Sequence, residues 1–373
     1  MKITMEASEA VAEVVANCEP DVVACYPITP STHIAEHLAQ LHADGRIKSY
    51  IAVEQEFSSM SACIGAAAAG GRTFTATSSQ GLALMHEPVY CAAGMRLPIT
   101  MVVGNRALSA PLNIWNDWQD SIAERDSGWI QLYSESSQEA IDNTVQAFKV
   151  SEQVMLPAMV CMDGFILTHV VEPVEIPEVE DVRKYLPKLK MDVKLDTENP
   201  MTMGAYAMPA DYQNFREDVH KDLLKAKENI KKEAAKFEKQ FDRGYGDGLI
   251  QGYNMDDSDY IFISMGSTIG TARDAVEESD SKYGILKIRS YRPFPYEEIS
   301  KALEGKKGAV VFEKAYSMGA LPPVYSDVAN AMKDSDVAMS SFVGGLGGKD
   351  VRKRDINSLM KKISDGKEHQ GWL

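Results

Sequence analysis

Three short segments carry residue types from which a binding site is built: Tyr26-Pro27-Ile28-Thr29-Pro30-Ser31, Glu56 and Arg106. Each lies at a comparable passage from an apolar run to a polar or helical one, so each reads as a turn after a strand. In an open parallel sheet these turns share the carboxyl edge, where ligands bind. An acid and an arginine at that edge suit a cationic heterocycle and an anionic substrate.

Proline fixes φ and biases the residue before it away from the helical region, so Pro27 and Pro30 are expected to hold the turn rigid. Thr29 then presents its hydroxyl and nearby backbone groups at fixed positions. On these residues alone, a helix entrance capped by Ser31 fits equally well. Glu56 shares a helical phase with Met60, Cys63 and Ala67, and Glu54 does not, so Glu56 is expected to face inward. A buried glutamate needs a cation or a donor, which a heterocyclic nitrogen supplies; a first-turn acid facing the helix dipole is the alternative. The forked guanidinium of Arg106 suits a small carboxylate, or else pairs with Asp117, Asp120 or Glu124. The Ala107–Asp126 loop, with Asn113, Trp115, Asn116, Trp118 and Gln119, reads as the wall of a site.

Those turns need a sheet to hold them. Asp21–Cys25, Ser49–Val53, Thr73–Thr77, Ile99–Val103 and Ala158–Met162 read as buried strands. Glu6–Asn17, Ser31–Ala43, Glu56–Ala69, Gly81–Ala93 and Gln138–Gln153 read as helices between them. This alternation predicts a doubly wound α/β sheet. The proline- and acid-rich stretch Glu172–Glu180 predicts an extended arm or linker. Asp211–Asp242 predicts a charged spacer helix, with Phe215, Val219, Leu223 and Ile230 partly in phase along one face. A second α/β unit opens at Asp259, with strands at Tyr260–Met265, Ile285–Ile288, Ala309–Phe312 and Met339–Val343. At 373 residues, and with roughly 100–200 residues per domain, two domains are expected. The pattern divides as residues 1–180, a linker over 181–257, and residues 258–373.

Bulk properties narrow the partners. A net charge of −15 argues against nucleic acid or anionic lipid, because neutralising phosphates needs a basic face. No apolar run spans a bilayer, and Met1–Glu6 shows no charged segment leading into an apolar core, so the cytoplasm is expected. The five cysteines are widely spaced and predict neither a disulfide framework nor an iron–sulfur cluster, and the alanine-rich surroundings of Cys63 and Cys91 predict burial. The seven histidines show no ligand spacing, so no metal site is expected in this chain. Zinc-hydrolase, phosphate-loop and serine-elbow patterns are absent.

Gly344-Gly345-Leu346-Gly347-Gly348 predicts a flexible turn from strand to helix, whose N–H groups could approach a partner subunit or an anion. Gly246-Asp247-Gly248 is similar to the start of the metal–diphosphate motif of thiamine enzymes, but no Asn-Asn follows. A chain of this kind would supply the pyrimidine side of thiamine diphosphate and leave the metal side to another chain.

The segments Tyr26–Ser31, Glu54-Gln55-Glu56, Thr75–Leu82, Gly104–Pro111, Asn113–Asp120, Asp163-Gly164-Phe165 with His169, Glu172-Pro173-Val174, Arg289–Pro295 and Gly344–Gly348 occur in that order. Together they resemble the alpha subunits of pyruvate:ferredoxin oxidoreductases over nearly the whole chain. The resemblance implies a pyrimidine-type thiamine-diphosphate-binding domain and a transketolase-C-terminal-like α/β domain. It implies Mg²⁺ and [4Fe–4S] clusters in partner subunits of beta, gamma and delta type, with ferredoxin as the electron acceptor. Glu56 matches the glutamate that hydrogen-bonds the aminopyrimidine N1′. Thr29 and Arg106 match positions facing the substrate carboxylate. Tyr26, Pro27 and Ile28 match the wall beside the cofactor, with Gln80 as its neighbour. The implied reaction of this anaerobic metabolism turns pyruvate and coenzyme A into acetyl-CoA and CO₂. The same chemistry on 2-oxoisovalerate, phenylglyoxylate or 2-oxoglutarate, and a non-catalytic assembly subunit, are the alternatives.

Overall fold

A computed structural model describes residues 2–278 and 283–373 of the chain. Met1, the first residue of the segment read for a leader, and positions 279–282 of the second expected domain lie outside the described residues. Two α/β sheets carry the architecture, with a long helix packed on the first.

The first sheet runs Ser290–Arg292, Ile130–Tyr133, Ala158–Asp163, Ile99–Asn105, Thr73–Thr77, Val22–Cys25, Tyr50–Ala52. All neighbours are parallel except Ser290–Arg292, which lies antiparallel to Ile130–Tyr133. The three central strands, Ala158–Asp163, Ile99–Asn105 and Thr73–Thr77, are buried at every residue. That is why they read as continuous apolar runs: helices cover both faces of a parallel sheet. The five strands expected here all form. Ile130–Tyr133 has only four residues, with Gln131 interrupting its apolar run, and Ser290–Arg292 pairs with it across more than 150 residues of sequence, so neither stands out in the sequence.

The second sheet runs Gln370–Trp372, Ala338–Val343, Gly308–Glu313, Tyr260–Ser264, Tyr283–Ile288, Ile250–Tyr253, with only the last pair antiparallel. A third, two-stranded sheet pairs Lys2–Glu6 with Val171–Glu175. Pro173 sits opposite Thr4 in this pair, a place that tolerates a missing N–H because no further strand follows. The proline- and acid-rich stretch is therefore partly an edge strand, succeeded by the helix Val179–Tyr185.

Other expectations need correction. The helix read at Gly81–Ala93 is two helices, Ser79–Leu84 and His86–Gly94. On the second, Val89, Ala92 and Ala93 are buried, which turns Cys91 outward; Cys63 is buried as expected, and all five cysteines are free. The charged helix spans Pro209–Phe241 and packs on Ser137–Val154, with Ala226, Ile230 and Phe237 in the shared core; Val219 lies against Gly128 and Ala234 against Gly248. Phe215, four residues before Val219 on the same face, is exposed because the start of the helix, residues 209–215, is exposed throughout, and Leu223 is only partly buried.

Between Ser137–Val154 and the second sheet lies a buried polar network. Lys287 Nζ, almost wholly buried, meets Glu139 Oε2 at 2.6 Å and Glu135 Oε2 at 3.0 Å. Arg289 donates to Asn143, Gln146 and the Gly248 carbonyl, and Arg243 and Tyr245 both reach Asp142. Asp247, in the segment similar to a metal–diphosphate motif, accepts the N–H groups of Leu249 and Ile250 and so closes its own turn.

Removing one member of a buried ion pair strands the other without compensation, at a cost of about 3–5 kcal/mol. Lys287→Met is expected to lower the free energy of unfolding by that amount, and Lys287→Met with Glu139→Met together to recover most of it, in denaturant titrations. A single variant that unfolds within about 1 kcal/mol of the parent would show the pair to be solvated rather than buried.

Candidate active site

Glu56, Thr29, Gln80 and Arg106 all follow strands of the first sheet at its carboxyl edge, after Tyr50–Ala52, Val22–Cys25, Thr73–Thr77 and Ile99–Asn105 respectively. Glu56 opens the helix Glu56–Ala68 and is only 6% exposed, on the same buried face as Met60, Cys63 and Ala67. Glu54 is exposed and hydrogen-bonds Ser58. A Cβ placed on Gly81 would stand 2.6 Å from Glu56 Oε1 and 2.6 Å from Thr77 Oγ1. Glycine at this position is therefore what lets the glutamate side chain lie where it does. Among the described residues no donor or cation reaches the Glu56 carboxylate; Thr77 Oγ1, against the same glycine, and Ser78 Oγ, which lies towards Gly104 and Pro30, are buried without partners. Unsatisfied groups of this kind cost free energy unless a ligand completes them.

The turn Tyr26–Ser31 reaches Arg106 directly. Arg106 Nη1 donates to the Thr29 carbonyl at 3.0 Å, and Nε to the Asn113 carbonyl at 3.0 Å. Ser31 stands at the N-cap position of Thr32–Ala43, but its hydroxyl donates to the Ile28 carbonyl at 2.9 Å and braces the turn instead of the helix. Pro30 lies against Gly104 and Gly164, where a Cβ would stand 3.5 Å and 2.6 Å from its Cγ. Tyr26, Ile28 and Thr29 are half-buried and Pro27 is exposed. Gln80 Nε2 donates to Ser109 Oγ at 2.6 Å, and Gln80 Oε1 accepts from Ser79 Oγ at 2.6 Å. No hydrogen bond among the described residues joins Glu56 to Arg106; the two stand apart along the edge.

The guanidinium of Arg106 meets no carboxylate among the described residues. Of the three acids that sequence offered, Asp120 instead binds the Arg106 backbone. The buried Asp120 carboxylate accepts from Arg106 N at 3.0 Å, Ser79 N at 2.8 Å, Asn105 Nδ2 at 2.8 Å and Ser121 N at 2.7 Å. One side chain thus fixes the ends of two adjacent strands and the start of Gln119–Ala123. Burial pushes the Asp120 carboxyl up to about 7 against the pull of these donors, and burial likewise raises Asp117 to about 6. Desolvation also lowers the pKa of Arg106, with Asp120 opposing.

The second sheet closes over the same loop. Lys314, following Gly308–Glu313, sends Nζ to Asp163 Oδ2 at 2.8 Å and Asn116 Oδ1 at 3.1 Å. Burial disfavours the Asp163 charge, but Lys314, Ser267 and Trp118 outweigh it and hold the carboxyl below its ordinary range. The glycine turn at 344–348 is not an open anion cradle: Gly347 N donates to Asp117 Oδ2 and Gly348 N to the Asn116 carbonyl. A Cβ at Gly348 would stand 2.5 Å from Trp115 Cβ, so the glycines permit the close approach. Sequence reasoning placed the loop as a wall but missed Asp120, Asn105 and Lys314 as its supports; only the buried polar character of such residues, invisible in one dimension, marks them.

Comparison with known proteins agrees with this arrangement. Residues 13–235 match the family described as "Pyruvate flavodoxin/ferredoxin oxidoreductase, thiamine diP-bdg", and residues 258–356 match "Pyruvate:ferredoxin oxidoreductase core domain II". The chain is 45% identical to pyruvate synthase subunit PorA of Methanothermobacter thermautotrophicus, over 99% of this chain and 97% of that one. It is 44% identical to the Thermotoga maritima PorA, over 98% and 95%. It is 42% identical to ketoisovalerate oxidoreductase subunit VorA of Pyrococcus abyssi, over 97% and 94%. A structure of 2-oxoglutarate:ferredoxin oxidoreductase from Magnetococcus marinus superposes with a TM-score of 0.73 at 19% identity, covering 98% of this chain and 65% of that one, and so shares the fold.

Asp120→Asn tests the hub. The folded carboxyl titrates near 7 and the ordinary value is 3.8, so the folded chain holds the extra proton between them. This group's contribution to stability is therefore full at low pH and is lost as pH rises through about 7. The amide variant is expected to flatten that part of the stability–pH curve. It is also expected to cost about 1–3 kcal/mol, because its NH₂ faces N–H donors. Denaturant titrations from pH 4 to 8 check both, and an unchanged slope refutes the assignment.

Proposed function

The chain belongs to the 2-oxoacid:ferredoxin oxidoreductase family as an alpha subunit, and on that premise we propose that it acts on pyruvate, with Glu56, Thr29 and Arg106 as the residues that act. The reaction is oxidative decarboxylation: pyruvate and coenzyme A give acetyl-CoA and CO₂, and the electrons pass to ferredoxin. The observation that carries the reading is the Glu56 carboxylate, on a residue only 6% exposed, which has no donor among the described residues and itself fills the room that the missing side chain of Gly81 leaves.

Thiamine diphosphate, when bound, supplies the electron sink for decarboxylation; the protein supplies position and charge. Glu56 fits its aminopyrimidine, because a desolvated carboxylate is stabilised by a ring nitrogen that shares a proton with it. The unpartnered Thr77 hydroxyl, against the same glycine as Glu56, offers a further polar contact. Arg106, braced by two carbonyls and without a carboxylate partner, directs its remaining N–H groups to the substrate carboxylate, with the Thr29 hydroxyl beside it. Tyr26, Pro27 and Ile28 form the adjoining wall, and Ser79 and Ser109 hold Gln80 as its neighbour.

In this reading residues 1–180 are the pyrimidine-type unit, 181–257 the connecting arm and helix, and 258–373 the transketolase-C-terminal-like unit. Asp247 is committed to its own turn, which supports leaving Mg²⁺ and the diphosphate to a beta-type partner. The [4Fe–4S] clusters belong to delta-type and related partners, and a gamma-type subunit completes the hetero-oligomer. Leu112, Ile114 and Trp115 expose apolar surface beside the site, as an edge covered by another chain would. Among the described residues no helix is long and apolar enough to cross a membrane. With a net charge of −15, this supports a cytoplasmic complex that binds neither membrane nor nucleic acid.

Viologen reduction by the natively purified complex, compared across pyruvate, 2-oxoisovalerate, 2-oxoglutarate and phenylglyoxylate, tests the substrate; a different preferred acid would keep the chemistry and overturn pyruvate. Glu56→Gln is expected to lower turnover by about a hundredfold to ten-thousandfold. Unchanged turnover at full thiamine occupancy would leave an assembly role. Arg106→Ala is expected to lower kcat/KM for the oxo acid by about tenfold to a hundredfold, the worth of a charge-assisted contact. Gly81→Ala is expected to reproduce most of the Glu56→Gln loss in an assembled complex, because its methyl group displaces the carboxylate; full activity in that variant would refute the packing argument.

A further inference from the structure

The fold brings two of the seven histidines to one carboxylate. Glu6 ends the strand Lys2–Glu6, His33 lies in the first turn of Thr32–Ala43, and His169 ends the turn after Ala158–Asp163. One ligand atom from each lies within 4.8 Å of the other two. His33 Nδ1 stands 2.7 Å from Glu6 Oε1, and the His33 and His169 rings are 4.8 Å apart between centroids.

The surroundings order this cluster. His169 Nδ1 stands 2.7 Å from Thr168 Oγ1, which also accepts the Phe165 N–H at 2.7 Å. A ring nitrogen held in this way fixes the imidazole and leaves Nε2 as the ligand atom, the arrangement common around protein metals. The Thr168 carbonyl accepts from both Ser8 N and Ser8 Oγ, tying the turn that bears His169 to the helix entered from Glu6. Phe165 packs on His169 at 4.6 Å and on Trp115 at 4.5 Å, walling one side with aromatic surface. The Glu6 side chain is 17% exposed, and all three residues of the cluster are partly buried.

We propose that Glu6, His33 and His169 form a binding site for a divalent transition metal of the zinc class, with two imidazole nitrogens and one carboxylate oxygen as protein ligands. Imidazole selects zinc and its first-row neighbours over magnesium or calcium, which prefer oxygen alone. Zinc bonds to nitrogen and oxygen are about 2.0–2.2 Å long, so the ligand atoms of a tetrahedral site sit about 3.3–3.6 Å apart. Side-chain rotations that bring the widest pair, up to 4.8 Å apart, together by about 1–1.5 Å and open the 2.7 Å His33–Glu6 pair bring the cluster to that size. Three protein ligands leave a position for water or an incoming group. The ion ties the amino-terminal strand, the helix that follows the Thr29 turn, and the turn after Asp163. It needs nothing from the thiamine reading and stands or falls separately.

The full-length chain, purified without cluster-bearing partners and freed of metal with chelator, is titrated with Zn²⁺ by calorimetry and with Co²⁺ by electronic absorption. One Zn²⁺ per chain is expected, with a raised melting temperature. Glu6→Gln, His33→Gln and His169→Gln are each expected to weaken binding by about a hundredfold, and Thr168→Ala by about tenfold. Co²⁺ is expected to show nitrogen and oxygen ligation without a thiolate charge-transfer band. No stoichiometric binding by the folded chain overturns the proposal. So does binding indifferent to the histidine variants, or a thiolate band that moves the ion to exposed Cys91. His33→Gln, at a side chain 42% exposed, disturbs folding least and decides the question if the other variants do not fold.

Discussion

A buried carboxylate with four N–H donors is expensive to assemble, and the edge of the first sheet is organised around one. Asp120 collects the backbone of Ser79, Arg106 and Ser121 and the side chain of Asn105. Those groups end two neighbouring strands and open a helix, so their positions are not independent. Moving the acid would leave four donors unpaired in a region from which water is excluded. The direction in which Arg106 leaves the sheet, and hence where its guanidinium can act, follows from this constraint.

The second sheet extends the same principle across the molecule. Lys314 reaches Asp163 and Asn116, and the Trp118 N–H donates to the Lys314 carbonyl at 2.8 Å. The glycine turn at 344–348 then presses against Asn113, Trp115 and Asp117 from outside. A loop of some twenty residues with little regular structure would otherwise be mobile. Here both of its faces are held, so the carbonyl of Asn113 is available as a fixed acceptor for Arg106. Positioning of this sort is what an electrostatic site requires, because charge must be placed before the reaction begins.

Glu56 shows the opposite policy. Every other deeply buried acid described above has donors or a cation, and this one has neither among the described residues. A largely buried carboxylate without a donor opposes folding, and a ligand that completes it accounts for its persistence. Gly81 is what leaves room for the Glu56 side chain, with the unpartnered Thr77 hydroxyl against the same glycine.

Sequence by itself determined the α/β class, the central strands and the turns bearing Thr29, Glu56 and Arg106, because those features depend on local periodicity and on proline and glycine geometry. The inward phase of Glu56 was legible for the same reason: Met60, Cys63 and Ala67 lie on its helix face. Tertiary structure alone decided which acid serves Arg106, since Asp117, Asp120 and Glu124 are equivalent in one dimension and all three are buried; only their partners separate them, the Arg106 N–H for Asp120, the Gln119 and Gly347 N–H groups for Asp117 and His86 for Glu124. It also decided that Cys91 and Phe215 face outward, that Ser290–Arg292 joins the first sheet, and that the glycine turn grips the site loop. Glu6, His33 and His169 meet only because three separate elements end at one place. Pairing between residues far apart in the chain leaves no periodic trace, and that is where sequence reading stops.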